Sequence, residues 1–248
     1  IKIDNIEVND FKNYLFEMNS DTSNIIIKNS TFTAGEDFSS SYSLNLRGYN
    51  IIADSNTFLN TNTGYGAISV QSGSENVTLT NNYIEVDDVN PSTYAMYLYG
   101  TNVNVLNNTI VGDPSNGQVA IMARSNNAII KDNYIQNDGI QLRNDATYVD
   151  IIGNNFVDGV ITYEAGGSEN HKVQNNRGYT TESSDTTTIA SGSTYVDVSH
   201  GLDITPEAKN ISVTATNNMG SATKFWISDI GASTFRINVD QDPGADAS

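Results

Sequence analysis

The sequence predicts an all-β chain: a solenoid of parallel strands about seven coils long, followed by a small antiparallel β-sandwich module. Three observations predict it. The first is a recurring phrase, Asn76-Val77-Thr78-Leu79-Thr80-Asn81-Asn82-Tyr83-Ile84. Variants of it end at Phe11, Phe32, Phe58, Ile84, Ile110, Ile135 and Phe156, in steps of 21, 26, 26, 26, 25 and 21. Self-similarity on this scale marks units that cannot bury a face alone and must stack. The second is a period of two inside each unit, with no helical spacing. The third is a change of pattern after Arg177-Gly178, where the repeat gives way to short alternating runs between turn residues.

Within each unit the elements follow in order. Ile25/Ile27, Ile51/Ala53, Val77/Leu79, Val103/Val105, Ala128/Ile130 and Val149/Ile151 form a short strand with alternate side chains buried. Two positions before each closing residue stands Asn9, Ser30, Asn56, Asn82, Asn108, Asn133 or Asn154. Asparagine tolerates the left-handed conformation and bonds neighbouring backbone, so stacked copies would make a ladder of amides. A second strand follows a loop, at Phe16-Glu17-Met18, Leu44-Asn45-Leu46, Ile68-Ser69-Val70, Met96-Tyr97-Leu98, Ile121-Met122-Ala123, Ile140-Gln141-Leu142 and Val160-Ile161-Thr162. Each strand would pair in parallel with its counterpart about 4.8 Å away in the next coil. Longer excursions at 33–43, 59–67, 85–95 and 111–120 would wall one edge of the solenoid, where binding residues concentrate.

These residues resemble the right-handed parallel β-helix of the pectate-lyase-like superfamily, shared by polysaccharide lyases and hydrolases, surface proteins and phage tailspikes. The resemblance covers residues 1–178 and implies a fold, not an activity, because one scaffold hosts many functions.

Composition narrows the partners. A formal charge of −17 argues against nucleic acid or an anionic membrane as partner, since either would need a basic face. Cysteine is absent, so there is no disulfide framework, thiolate metal site or cysteine nucleophile. No apolar run is long enough to insert in a membrane. The chain opens inside a coil at Ile1-Lys2-Ile3 and reads as a processed product or a fragment. Sequons stand at Asn29, Asn76, Asn107 and Asn210, of which Asn76 and Asn210 are the better acceptors because the other two abut the amide ladder.

The outward residues of the second strand are the first place to look for a site. One row reads Glu17, Asn45, Ser69, Tyr97, Met122, Gln141, Ile161, and the next Asn19, Arg47, Gln71, Tyr99, Arg124, Arg143, Tyr163. Three of the five arginines fall on one line with tyrosines interleaved. Arginine offers a planar fork to carboxylate or sulfate, and tyrosine a flat apolar face with a polar rim. Tyr97, Tyr99, Arg124, Arg143 and Tyr163 are therefore the candidate ligand-binding residues, with acidic sugars as the suited partner. The plainer alternative is that long side chains on an exposed strand cover one another and neutralise nearby acids.

Other constellations carry less. Asp87, Asp113 and Asp138 lie three residues after successive closing residues; an oxygen cluster there would suit calcium, although aspartate is common in turns. No cofactor is required otherwise. Glycoside hydrolysis needs two carboxyl groups across a bond, and Asp145 with Glu164 is the candidate pair. Pectate-type lyase chemistry, which the resemblance suggests, would want a basic side chain, Arg124 or Arg143. His171 and His200 have no ligand partner at metal spacing and no serine motif beside them, and read as structural.

Residues 179–248 form the second domain, with runs at Tyr195-Val196-Asp197-Val198, Ile211-Ser212-Val213-Thr214-Ala215, Lys224-Phe225-Trp226-Ile227 and Thr234-Phe235-Arg236-Ile237-Asn238-Val239. His200-Gly201-Leu202, Thr205-Pro206, Trp226-Ile227-Ser228 and Ser233-Thr234-Phe235-Arg236-Ile237 resemble the C-terminal β modules of phage tail fibres and tailspikes. That resemblance implies a module that caps the rod, helps assemble it or touches the recognised surface, with a homotrimer or fibre as the assembly. Trp226 beside Phe225 would anchor the packing of such a cap, or else serve as a sugar platform. Together the readings give an extracellular or virion-surface recognition module that binds a polysaccharide or surface glycan. The alternatives are a lyase or glycoside hydrolase working on the same face, and a purely structural fibre or adhesin subunit.

Overall fold

The computed structural model describes residues 1–11, 15–18, 20–35, 42–59, 66–86, 94–112, 119–164 and 170–247. Two compact units divide the chain, Ile1–Tyr179 and Thr180–Ser248. The first is a right-handed parallel β-helix built from three parallel sheets, of eight, seven and seven strands. Every neighbour within a sheet comes from the next coil, in parallel register.

Each coil has three strands where the sequence pattern suggested two. The closing apolar residue belongs to a strand of its own. Glu75–Thr80 ends at Asn81, whose left-handed φ of 54° turns the chain, and Tyr83–Glu85 begins a new direction. The same corner is taken by Asn5, Asn29, Ser55, Asn107, Asp132, Gly153 and Asn175, all at positive φ. Turning and bonding are thus divided between neighbours: the left-handed residue precedes the ladder residue.

The ladder itself is continuous and buried. The Nδ2 of Asn56 donates to Asn82 Oδ1 at 3.1 Å, Asn82 to Asn108 at 2.9 Å, Asn108 to Asn133 at 3.0 Å, Asn133 to Asn154 at 2.9 Å and Asn154 to Asn176 at 3.0 Å. Each of these amides also donates to a main-chain carbonyl of the preceding coil, as Asn108 does to Leu79 O, and accepts a backbone N–H from that coil. A buried polar group left unpaired is costly, so the column fixes the rise and register of the coils.

Three register details differ from the sequence pattern. In coil one Val8, not Phe11, pairs with the closing residue Phe32, and Phe11 lies opposite Ala34. The first ladder position is therefore Ile6, whose N–H reaches Ser30 Oγ, and not Asn9. In coil seven Ile161, not Val160, pairs with Ile140, so Thr162 and Tyr163 align with Gln141 and Leu142. The apolar pair Val160-Ile161 offers two frames, and a one-residue slip exchanges the faces. The inner columns are filled by fully buried residues such as Ile25, Ile51, Val77, Leu44, Ile68 and Met96, with Phe32 and Phe58 rings stacked at 5.2 Å between centroids. The long excursions expected between strands fall largely outside the described residues.

In the second unit Tyr195–Ser199, Thr234–Val239 and Phe225–Ser228 make one three-stranded antiparallel sheet with Thr234–Val239 central. Ile189, Ala222, Ile237 and Val239 form its core, with Val196, Val198, Val213, Met219 and Phe235 packed against it. The run 211–215, expected as a strand, joins no ladder; Val213 packs on the core from an irregular segment. Trp226 is 49% exposed and Phe225 40%, and neither belongs to this core.

Candidate functional site

The third sheet places the candidate residues. Its register runs Ser69, Tyr97, Met122, Gln141, Thr162 along one row. Two residues further on, the backbone N–H groups of Gln71, Tyr99, Arg124, Arg143 and Glu164 each donate to the preceding coil at equivalent positions, to Leu46, Val70, Leu98, Ala123 and Leu142. The arginine row is real, but its last member is Glu164, not Tyr163. Tyr163 sits opposite Leu142 on the last coil, half-exposed, with its ring 6.3 Å from His171. The slip in coil seven moves it off the line.

The first outward row is not an open surface. Asn45, Ser69 and Met122 on it are buried and Tyr97 is half-buried. The exposed strip is the second row, with Arg47 and Tyr99 open to water and Arg124 and Arg143 about a third exposed. Asn19 of that row lies outside the described residues.

Around Tyr97 the chemistry converges. Its ring lies 6.2 Å from those of Tyr42 and Tyr94 and 6.4 Å, edge-on, from Tyr99. Arg124 lies over the Tyr99 ring at 4.5 Å, a cation–π contact, and its Nη1 donates to the Tyr97 hydroxyl at 3.1 Å. The other edge of the same guanidinium grips Asp145, with Nε 2.9 Å from Oδ2 and 3.1 Å from Oδ1 and Nη2 also donating. That grip holds the Asp145 carboxyl below the usual carboxylate range, against the smaller opposing effect of burial. Hydrogen bonds to Asp145 and Tyr97 push Arg124 further up.

One coil on, Arg143 Nε lies 2.9 Å from Glu164 Oε2 without hydrogen-bond alignment. Glu164 Oε2 accepts instead from the Asn144 backbone N–H at 3.1 Å. Both candidate catalytic acids are thus partners of the row's arginines. The pairing was hidden in the sequence because Asp145 and Glu164 come 21 residues after Arg124 and Arg143, a distance set by loop length.

The remaining candidates stay apart from this strip. Asp138 is buried at the entry to Gly139–Leu142, while Asp87 and Asp113 lie outside the described residues. Among the described residues no group of three or more His, Asp or Glu could hold a metal ion. His171 Nδ1 accepts the Val149 N–H at 3.2 Å, and burial lowers its pKa. His200 accepts the Leu202 N–H at Nδ1 and contacts Gly231 O through Nε2, closing a turn in the second unit. No helix among the described residues is long and apolar enough to cross a membrane.

No family model, curated protein or solved structure matches this chain. The β-solenoid architecture is consistent with carbohydrate-binding and carbohydrate-active proteins in general.

Proposed function

We propose that the solenoid binds a glycan along the strip formed by Tyr97, Tyr99, Arg124 and Arg143, as a recognition module working at an extracellular or virion surface. The observation that carries this reading is the Arg124 guanidinium, laid over Tyr99, tied to Tyr97 and locked by Asp145. Rigid aromatic faces beside donors already fixed in place suit a ligand of hydroxyl groups and ring faces, because little ordering remains to be done on binding. Arg124 and Arg143 are each paired with an acid, so this part of the strip carries no net excess of positive charge. That favours neutral or weakly acidic sugars over strongly anionic ones.

The electrostatics favour binding over cleavage. A hydrolase needs one carboxyl group that stays protonated near neutrality, and Asp145 is shifted the other way. A lyase needs a base that sheds its proton, and Arg124 is made harder to deprotonate.

The test is incubation of the chain with a panel of neutral and acidic polysaccharides, measuring retention and product release together. Retention without product, abolished in Arg124→Ala and reduced in Arg143→Ala, is the expected result. Product release by the parent, or failure to retain any glycan, refutes it.

A further inference from the structure

The outer face of the second unit's sheet carries an arrangement that the solenoid strip does not explain. Val196, Ile237 and Ile227 lie in one cross-strand line and face the core side. The adjacent line, Tyr195, Asn238 and Trp226, faces outward, with Asn238 paired directly to both aromatic residues. Tyr195 is 48% and Trp226 49% exposed. Flanking positions on neighbouring strands are about 4.8 Å apart, which puts the two aromatic residues roughly 10 Å from one another across the sheet.

Between and beside them Asn238, Ser228 and Arg236 are oriented by neighbours. Asn238 Nδ2 donates to Ser228 Oγ at 2.9 Å. Arg236 bridges Asp197 at 2.7 Å and Asp229 at 3.3 Å, and its guanidinium lies 4.0 Å over the Tyr195 ring. Tyr195 is thus held in one pose, and the two aromatic side chains lie half in water on either side of Asn238, a pair of apolar faces with a polar group between them.

We propose that this face is a second glycan-binding site, in which Tyr195 and Trp226 stack two sugar rings of an extended, uncharged polysaccharide strand while Asn238 and Ser228 meet its hydroxyl groups. Alternate rings of an extended β-1,4-linked chain recur at a spacing comparable to that between the two aromatic residues. The charge of the unit selects the class: residues 180–248 hold nine acidic and three basic residues, and Arg236 is already spent on two of the acids. An anionic chain would be repelled, whereas a neutral one would not. The site lies in a different unit from the solenoid strip and stands or falls separately from it.

Trp226 is the only tryptophan in the chain and reports on this face alone. Titrating the full chain with cellohexaose and β-1,4-mannohexaose, with maltohexaose as the coiled α-linked control, should give a saturable blue shift of Trp226 emission with at least one β-linked hexaose and a weaker response to maltohexaose. Tyr195→Phe keeps the ring and should bind like the parent, whereas Tyr195→Ala should weaken the shift about tenfold, the scale of one lost stacking contact. Arg124→Ala should leave it unchanged. The proposal is overturned by the absence of a saturable shift with both β-linked hexaoses, by Tyr195→Phe and Tyr195→Ala behaving alike, or by an emission shift that follows protein concentration without sugar, which would make a second copy of the chain the occupant.

Discussion

Asn108 shows how much one side chain can hold in this molecule. Its Oδ1 accepts from both the backbone N–H and the side chain of Asn82, and its Nδ2 donates to Leu79 O, Leu106 O and Asn133 Oδ1. Replacing it by alanine strands several buried partners at once. With each orphaned group costing roughly 1 to 3 kcal/mol and water relieving some, Asn108→Ala should lose about 3 to 5 kcal/mol in urea unfolding. Asp145 illustrates the opposite, solvent-screened case. Its folded pKa is depressed by Arg124, so its contribution is full above the unfolded carboxylate value and fades as pH falls through the lower folded one. At 35% side-chain exposure that contribution is about 1 kcal/mol at most. Asp145→Asn should therefore lower stability at neutral pH and flatten its decline below about pH 4, read by urea unfolding across an acid series. In the second unit, hydrogen bonds from the side chain and backbone of Thr223 hold Asp240 down to about 2. A carboxyl-resolved NMR titration should find it among the last groups to protonate.

At the scale of the strand, the informative position is Tyr148. An outer column of left-handed asparagines, Asn24, Asn50, Asn76, Asn102 and Asn127, runs along the start of the first sheet, linked side chain to side chain at 3.2 to 3.4 Å. The next coil places Tyr148 there, at φ 54° and 59% exposed. A tyrosine gains nothing from that conformation, which costs an ordinary L-residue roughly 1 kcal/mol or more. Tyr148→Asn should extend the column and stabilise the chain by about that amount in thermal unfolding. This scale also marks what the sequence could carry. The buried ladder was legible because its spacing equals the coil length. The sheet formed by the closing residues was not, since one left-handed residue such as Asn81 turns the chain there and shifts the buried positions by only one, from 77 and 79 to 82 and 84. The coil-seven slip was hidden for a related reason: Gly159-Val160-Ile161 offers an apolar residue in either frame, and only pairing with Ile140 decides between them.

Across the whole solenoid, the proposed strip depends on coils stacking in register, which brings residues 97, 99, 124, 143, 145 and 164 together. The line of arginines and tyrosines could be read from repeat spacing. That the arginines neutralise nearby acids was the plainer expectation, and Arg124 and Arg143 do so; which acids they meet depends on where turns after the strand place Asp145 and Glu164. Quasi-one-dimensional architecture of this kind tolerates loss of a whole repeat, since each coil contacts only its neighbours. Removing one 26-residue coil leaves the ladder phase intact, as Asn56 to Asn82 and Asn82 to Asn108 are both 26 residues apart. The most direct measurement is glycan retention by two such deletions, residues 50–75 and residues 76–101, each checked for β structure by circular dichroism. The first spares every residue of the strip and should keep the parent's retention. The second removes Tyr97 and Tyr99 and should abolish it. Equal retention by both folded deletions, or loss in both, would contradict a site built from coils four to six.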